Sequence, residues 1–148
     1  MFSDLASFLK SDFIAVLGVS RNSKKFGNFL FDELKKKGKK VFPVNPDLIE
    51  YDGVKCFQSV EDLPEETNSV VFVTKPEITN TLLLKVFQKG IRNIWLQQGS
   101  HNNESIAICS ALNVNVIHGQ CLMMYLEPVK SFHKFHQFLW KLFGKYVG

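Results

Sequence analysis

Ile14-Ala15-Val16-Leu17-Gly18-Val19-Ser20-Arg21 decides the fold. Four apolar residues in a row, cut by a glycine, read as a strand covered on both faces that ends in a tight turn. The strand is expected over Phe13–Gly18. An amphipathic stretch follows. Phe26, Phe29, Leu30 and Leu34 share one face of a helix expected from Lys24 or Phe26 to Lys37, with Gly38 placed to stop it. A second apolar run, Lys40–Val44, closes on Asn45-Pro46, where proline has no N–H to give a ladder. Strand, helix and strand make the outline of a βαβ nucleotide-binding unit. It departs from the dinucleotide version twice. Ser20 stands where G-x-G-x-x-G has its second glycine, and the next glycine, Gly27, comes late. No Asp or Glu closes the second strand; the neutral Asn45 stands there instead.

The rhythm continues downstream. Ser69–Thr74 is an apolar strand ended by Lys75-Pro76, and a helix is expected from Glu77 to Lys89, closed by Gly90. Arg92–Leu96 is the next strand and runs into Gln97-Gln98-Gly99. Asn103–Leu112 reads as a helix and Val114–His118 as a further strand. A short strand is expected at Val54–Phe57 and a capped turn over Ser59–Pro64. Residues 1–12 read as a leading helix, with Phe2, Leu5, Phe8 and Leu9 at helical spacing. The fold class is therefore α/β: a doubly wound, mainly parallel sheet with helices on both faces. An extra C-terminal helix is expected over Ser131–Tyr146, carrying the aromatic stripe Phe132, Phe135, Leu139, Trp140 and Phe143.

In such sheets ligands sit outside the carboxyl ends of the strands. Four strand ends carry polar chemistry here: Gly18-Val19-Ser20-Arg21, Asn45-Pro46, Val73-Thr74-Lys75 and Gln97-Gln98-Gly99. The first leads into a helix N-terminus, whose backbone N–H groups favour a phosphate. Ser20 and Ser23 add hydroxyl donors, and Arg21, Lys24, Lys25 and Lys75 add positive charge. Asn45 tolerates a phosphorylated ribose where a carboxylate would repel one. Coenzyme A and NADP both meet that description.

Taken together, I-A-V-L-G-V-S, the late Gly27, V-F-P-V-N-P, Y-D-G-V-K-C-F, V-F-V-T-K-P and N-I-W-L-Q-Q-G resemble the small stand-alone CoA-binding domain proteins. These are similar to the N-terminal CoA-binding domain of the succinyl-CoA synthetase alpha subunit. The resemblance covers roughly residues 12–125. It implies a Rossmann-like fold holding coenzyme A, or an acyl-CoA, on the edge described above. Gly18, Val19, Ser20 and Arg21 would surround the phosphates, and Asn45 and Pro46 would border the adenosine. Val73, Thr74 and Lys75 would line the next strand end, and Gln97, Gln98 and Gly99 the far side. The synthetase's phosphorylated histidine belongs to a later domain, so ligase activity is not expected. The reading is a non-catalytic CoA-binding module. Two alternatives stand beside it: a small NADP- or CoA-dependent enzyme, and an interaction protein acting through its aromatic C-terminal helix, as a homodimer or with a protein partner.

Composition sets the bounds. A chain of 148 residues suits one domain spanning 1–148. Fourteen phenylalanines supply core, and a net charge of +4 suits an anionic small ligand but is too weak to argue for nucleic acid. Lys35, Lys36, Lys37, Lys39 and Lys40 read as a solvated helix end. No stretch has the length and apolarity of a membrane span, and the acidic N-terminus is not a signal peptide. Cys56, Cys109 and Cys121 are odd in number and widely spaced, which points to a reduced, cytoplasmic setting. His118, Cys121, His133 and His136 have spacings that suit zinc. Packed strand-end residues and solvent-facing histidines account for them as well, and no metal is expected. Trp95 is expected in the core with a partner for its N–H, and Cys121 as a packed thiol.

Overall fold

Alternation along the first strand shows how the core is built. Ile14 and Val16 face one layer of the fold, and Ala15 and Leu17 face the other, all at 0–1% exposure. The computed structural model describes residues 2–126. Within them, α1 (Phe2–Lys10), β1 (Phe13–Leu17), α2 (Phe26–Lys36) and β2 (Lys40–Val44) come first. A hairpin, β3 (Glu50–Tyr51) and β4 (Val54–Lys55), follows. Then come β5 (Ser69–Phe72), α3 (Pro76–Gln88), β6 (Asn93–Leu96), α4 (Asn103–Leu112) and β7 (Asn115–His118).

Five strands form one parallel sheet in the order β2-β1-β5-β6-β7. The chain steps outward from β1 to β2, then crosses back to lay β5 on the other side of β1. The topological switch point therefore lies between β1 and β5, where open α/β sheets place their ligands. One face is packed by Phe8 of α1 and by Leu30, Phe31 and Leu34 of α2, against Val16, Val71 and Trp95. The other is packed by Leu83 and Val86 of α3 and Cys109 of α4, against Leu17, Val70, Phe72 and Leu96. This two-sided burial is why the strands read as unbroken apolar runs. Trp95 is fully buried and donates its indole N–H to the Gln120 carbonyl at 3.3 Å.

The elements differ from the sequence reading in small ways. β5 stops at Phe72, two residues before Thr74, although the Val73 N–H still donates to Leu17 O at 2.7 Å. The strand expected at Val54–Phe57 is divided. Val54–Lys55 pairs with Glu50–Tyr51 in the hairpin, while Phe57 bridges to Val44. The unexpected half, β3, follows from Asp52-Gly53, both at positive φ (50° and 72°), the signature of a two-residue hairpin turn. A short 3-10 turn at Leu122–Tyr125 is also new. The helix expected over Ser131–Tyr146 lies outside the described residues. No helix among the described residues is long and apolar enough to cross a membrane.

Candidate functional site at the carboxyl edge of the sheet

The loop leaving β1 is fixed by close packing and by one buried amide. Gly18 has φ +120°, and a Cβ there would stand 2.7 Å from the Val73 carbonyl oxygen. Gly27, in the first turn of α2, approaches even closer: a Cβ would lie 2.3 Å from the Gly18 carbonyl oxygen. The late glycine thus performs the close helix-to-strand packing that dinucleotide folds give to their third glycine. Next to it sits Asn28, fully buried. Its Nδ2 donates to the Ser20 carbonyl at 2.7 Å, and its Oδ1 accepts the Ser20 N–H at 2.9 Å. Ser20 Oγ in turn accepts the Asn22 N–H (3.1 Å), and Asn22 Oδ1 accepts the Lys24 N–H (3.1 Å). Lys25, the N-cap residue of α2, makes no side-chain cap hydrogen bond.

Asn45 ties the second strand end to the first. Its Nδ2 donates to Val19 O at 2.7 Å, and its Oδ1 accepts the Asp47 N–H at 2.7 Å. The amide oxygen and nitrogen both bond within the chain, so Asn45 clasps two loops together, with Pro46 exposed beside it. Arg21 reinforces the clasp by donating from Nη2 to the Asp47 carbonyl at 3.0 Å. At the end of β5, Val73 is half-buried, and Thr74 Oγ1 pairs with the buried Thr79 Oγ1 at 2.7 Å. Lys75 follows as the exposed N-cap of α3 with Pro76 at N1.

The far end is built differently. Gln97 is 1% exposed, and its Oε1 accepts the Leu122 N–H at 3.2 Å. Its Nε2 is buried without a hydrogen bond of good geometry, close to the Cys121 sulfur. The Gln97 side chain thus latches the turn after β7, while exposed Gln98 donates to Gly119 O at 3.4 Å and Gly99 turns at φ +83°. Gly18 lies against Val73, and Asn45 bonds to Val19, so the ends of β5 and β2 both meet the loop after β1. Arg21, Pro46, Thr74 and Lys75 follow along the same strand-end loops. Val19 and Gln97 have buried side chains and contribute packing.

Charge is distributed unevenly. Lys35, Lys36, Lys39 and Lys40 all meet carboxylates: Asp52, Glu33, Asp12 and Glu66, at 2.7 to 3.9 Å. Lys85 and Lys89 meet Glu61 and Glu65. The basic run at the end of α2 is thus a set of paired surface charges, as its position suggested. Among the described residues Lys24, Lys25 and Lys75 have no carboxylate partner and Arg21 meets only a carbonyl; Lys10, Lys55 and Arg92 meet no carboxylate either, Lys55 and Arg92 lying over the rings of Phe57 and Phe87.

Cys121 is buried, and desolvation pushes its thiol above the ordinary range; burial holds Cys109 up at about 11. Both stay protonated at neutral pH. His118 packs against His101, with ring centroids 5.2 Å apart. Among the described residues no group of three or more His, Cys, Asp or Glu is placed to hold a metal, and His133 and His136 lie outside them. The sequence reading passed over Asn28 and the packing role of Gly27. Asn28 lies on the far side of α2 from the stripe of Phe26, Leu30 and Leu34, so the apolar spacing carries no signal for it.

A family model described as the CoA binding domain matches residues 12–127. The chain belongs to the CoA-binding domain family. Among curated relatives of this family member, it is 35% identical over 82 residues to the alpha subunit of an ADP-forming acetate–CoA ligase II from Pyrococcus furiosus. The match takes in 55% of this chain and 18% of the relative. It is 26% identical over 117 residues to an ADP-forming acetate–CoA ligase from Methanocaldococcus jannaschii, covering 74% of this chain and 17% of that protein. The chain thus spans under a fifth of the length of the curated relatives it matches. Solved structures of similar size include a conserved hypothetical protein from Pyrococcus furiosus, 33% identical with a TM-score of 0.74, covering 76% of this chain and 97% of that one. Another is a hypothetical protein from Pyrococcus horikoshii, 26% identical with a TM-score of 0.79, covering 86% and 90%. The resemblance read from the motifs holds at the family level, and the Rossmann-like fold class with it.

Proposed function

We propose that this CoA-binding domain protein binds coenzyme A or an acyl-CoA along the carboxyl edge of its sheet, as a binding module without a catalytic step of its own. The observation that carries the reading is the gathering of cations on the loops of this edge: Lys24, Lys25, Lys75 and Arg21 stand there without a carboxylate partner among the described residues. Positive charge without a carboxylate partner, beside the N-terminus of α2, suits a ligand with several phosphate charges. Asn45 at the end of β2 supports the same reading, because it puts no carboxylate near a phosphorylated ribose. A reducing, cytoplasmic setting fits the three cysteines, all free and buried.

Calorimetric titration of the full chain with CoA, acetyl-CoA, NADP and NAD tests the reading. CoA and acetyl-CoA are expected to bind more tightly than either nicotinamide dinucleotide. Tight binding of NAD or NADP with no response to CoA would overturn it.

A further inference from the structure

From Ser105 to Leu126 the chain carries no Asp, Glu, Lys or Arg, although these make up 22% of its residues. The run is not a buried one. It spans α4 and β7, and Ala107, Ser110, Ala111, Asn113, Asn115 and His118 within it are exposed. Water-facing surface ordinarily carries charge, whereas the centre of a protein–protein contact is depleted of it.

The two edges of the sheet are treated differently. β2 carries Lys40 and Pro43, and Phe57 lies along its outer side. The Phe57 N–H donates to the Pro43 carbonyl at 2.8 Å, and its carbonyl accepts the Asn45 N–H at 2.9 Å. Lysine, proline and a covering segment are all ways of blunting an edge. β7, Asn115–His118, has neither Lys nor Pro, and among the described residues no strand pairs with its outer side. The Asn115 N–H donates inward, to the Arg92 carbonyl at 3.1 Å. Alternation then turns the N–H and C=O of Val116 outward, away from β6. An antiparallel copy of β7, set on a twofold axis at Val116, would exchange both bonds with it. That register places Asn115 across from Ile117, and no charge meets its like. An asparagine both donates and accepts, so exposed Asn113 and Asn115 suit copies of themselves, whereas a charged partner finds no counter-charge here. With a net charge of +4, two copies repel over most of their surface, and this uncharged edge is where they can approach.

We propose that β7 is a self-association edge: a second copy of this chain pairs antiparallel with it and joins two five-stranded sheets into one. The carboxyl edges of the two sheets then open at opposite ends, so both stay free, and the pairing does not depend on the CoA reading. Sedimentation equilibrium of the full chain without ligand is expected to give the mass of two copies. Asn115→Lys alters an exposed side chain and brings two ammonium groups onto one face of the joined sheet. It should raise the dimer dissociation constant about tenfold or more, with the circular dichroism spectrum of the parent. Val116→Pro removes the outward N–H and should act the same way; Asn115→Lys decides alone where that variant fails to fold. Ile49→Lys, at an exposed residue beyond the other edge, should leave the dimer intact. Hydrogen exchange of the Val116 amide should slow as protein concentration rises, and Asn115→Lys should abolish that slowing. A parent chain that sediments as a single copy overturns the proposal, as does a dimer that survives Asn115→Lys, or a Val116 amide indifferent to concentration. A dimer lost on deleting residues 127–148 but kept in Asn115→Lys would place the contact at the C-terminus and overturn it as well.

Discussion

Two asparagines divide the work of holding one loop. Asn28 grips Ser20 from below, and Asn45 grips Val19 from the side. Each places an amide where both donor and acceptor are needed, which no aliphatic or carboxylate side chain supplies. His101 shows the opposite case, a polar side chain with an unmet need. Its Nδ1 is buried without a hydrogen bond of good geometry, and His118 stands against its ring. Burial, then the neighbouring histidine, lower its pKa from the ordinary 6.5; the Gln97 carbonyl offsets this in part. The unfolded chain therefore takes up this proton at a higher pH than the folded one. Stability is intact above pH 6.5, falls as the pH drops from there through the lower folded value, and levels off below it. Urea unfolding at pH 7.5 and 5.5 checks this. His101→Asn should lose less stability than the parent over that interval, and an equal loss would refute the assignment.

At the scale of elements, the decisive contact is α2 against the end of β1. Gly27→Ala would push a methyl group into the Gly18 carbonyl, a backbone atom with no rotamer to yield. Helix or loop must move, at a cost of about 1–3 kcal/mol. A fall in the unfolding midpoint together with weakened CoA binding is expected; a parent-like variant would show that α2 slides freely. The strands and helices were legible because burial on both faces writes itself as unbroken apolar runs, and β2 and α4 fall on the residues expected. The parallel, doubly wound arrangement followed from the repeat, while the strand order β2-β1-β5-β6-β7 came from the structure. The site was less legible. Its strand-end loops could be named, but Asn28 and Gln97 act through tertiary contacts that spacing does not encode. Gln97 looks like a surface polar residue in W-L-Q-Q-G, yet its amide is turned inward to Leu122. β3 was hidden because two residues make no periodicity, and only Asp52-Gly53 marks it.

Across the whole molecule, charge is sorted only in part. Paired lysines lie along the end of α2 and on α3, while Lys24, Lys25 and Lys75 stand at the carboxyl edge without a carboxylate partner among the described residues. Substituting Lys24, Lys25 and Lys75 by alanine should weaken CoA by about threefold each and flatten its salt dependence. The same changes at Lys36 and Lys40 should leave binding unaltered. Calorimetry at two salt concentrations decides, and equal effects from both sets would remove the electrostatic argument. The doubly gripped Ser20 loop bears on rate as well. A loop already pinned at its N–H and its carbonyl has little freedom left to lose when a partner arrives. Capture then resembles docking onto a rigid cradle, with the encounter sped by long-range attraction and the lifetime set by how fast the phosphates let go.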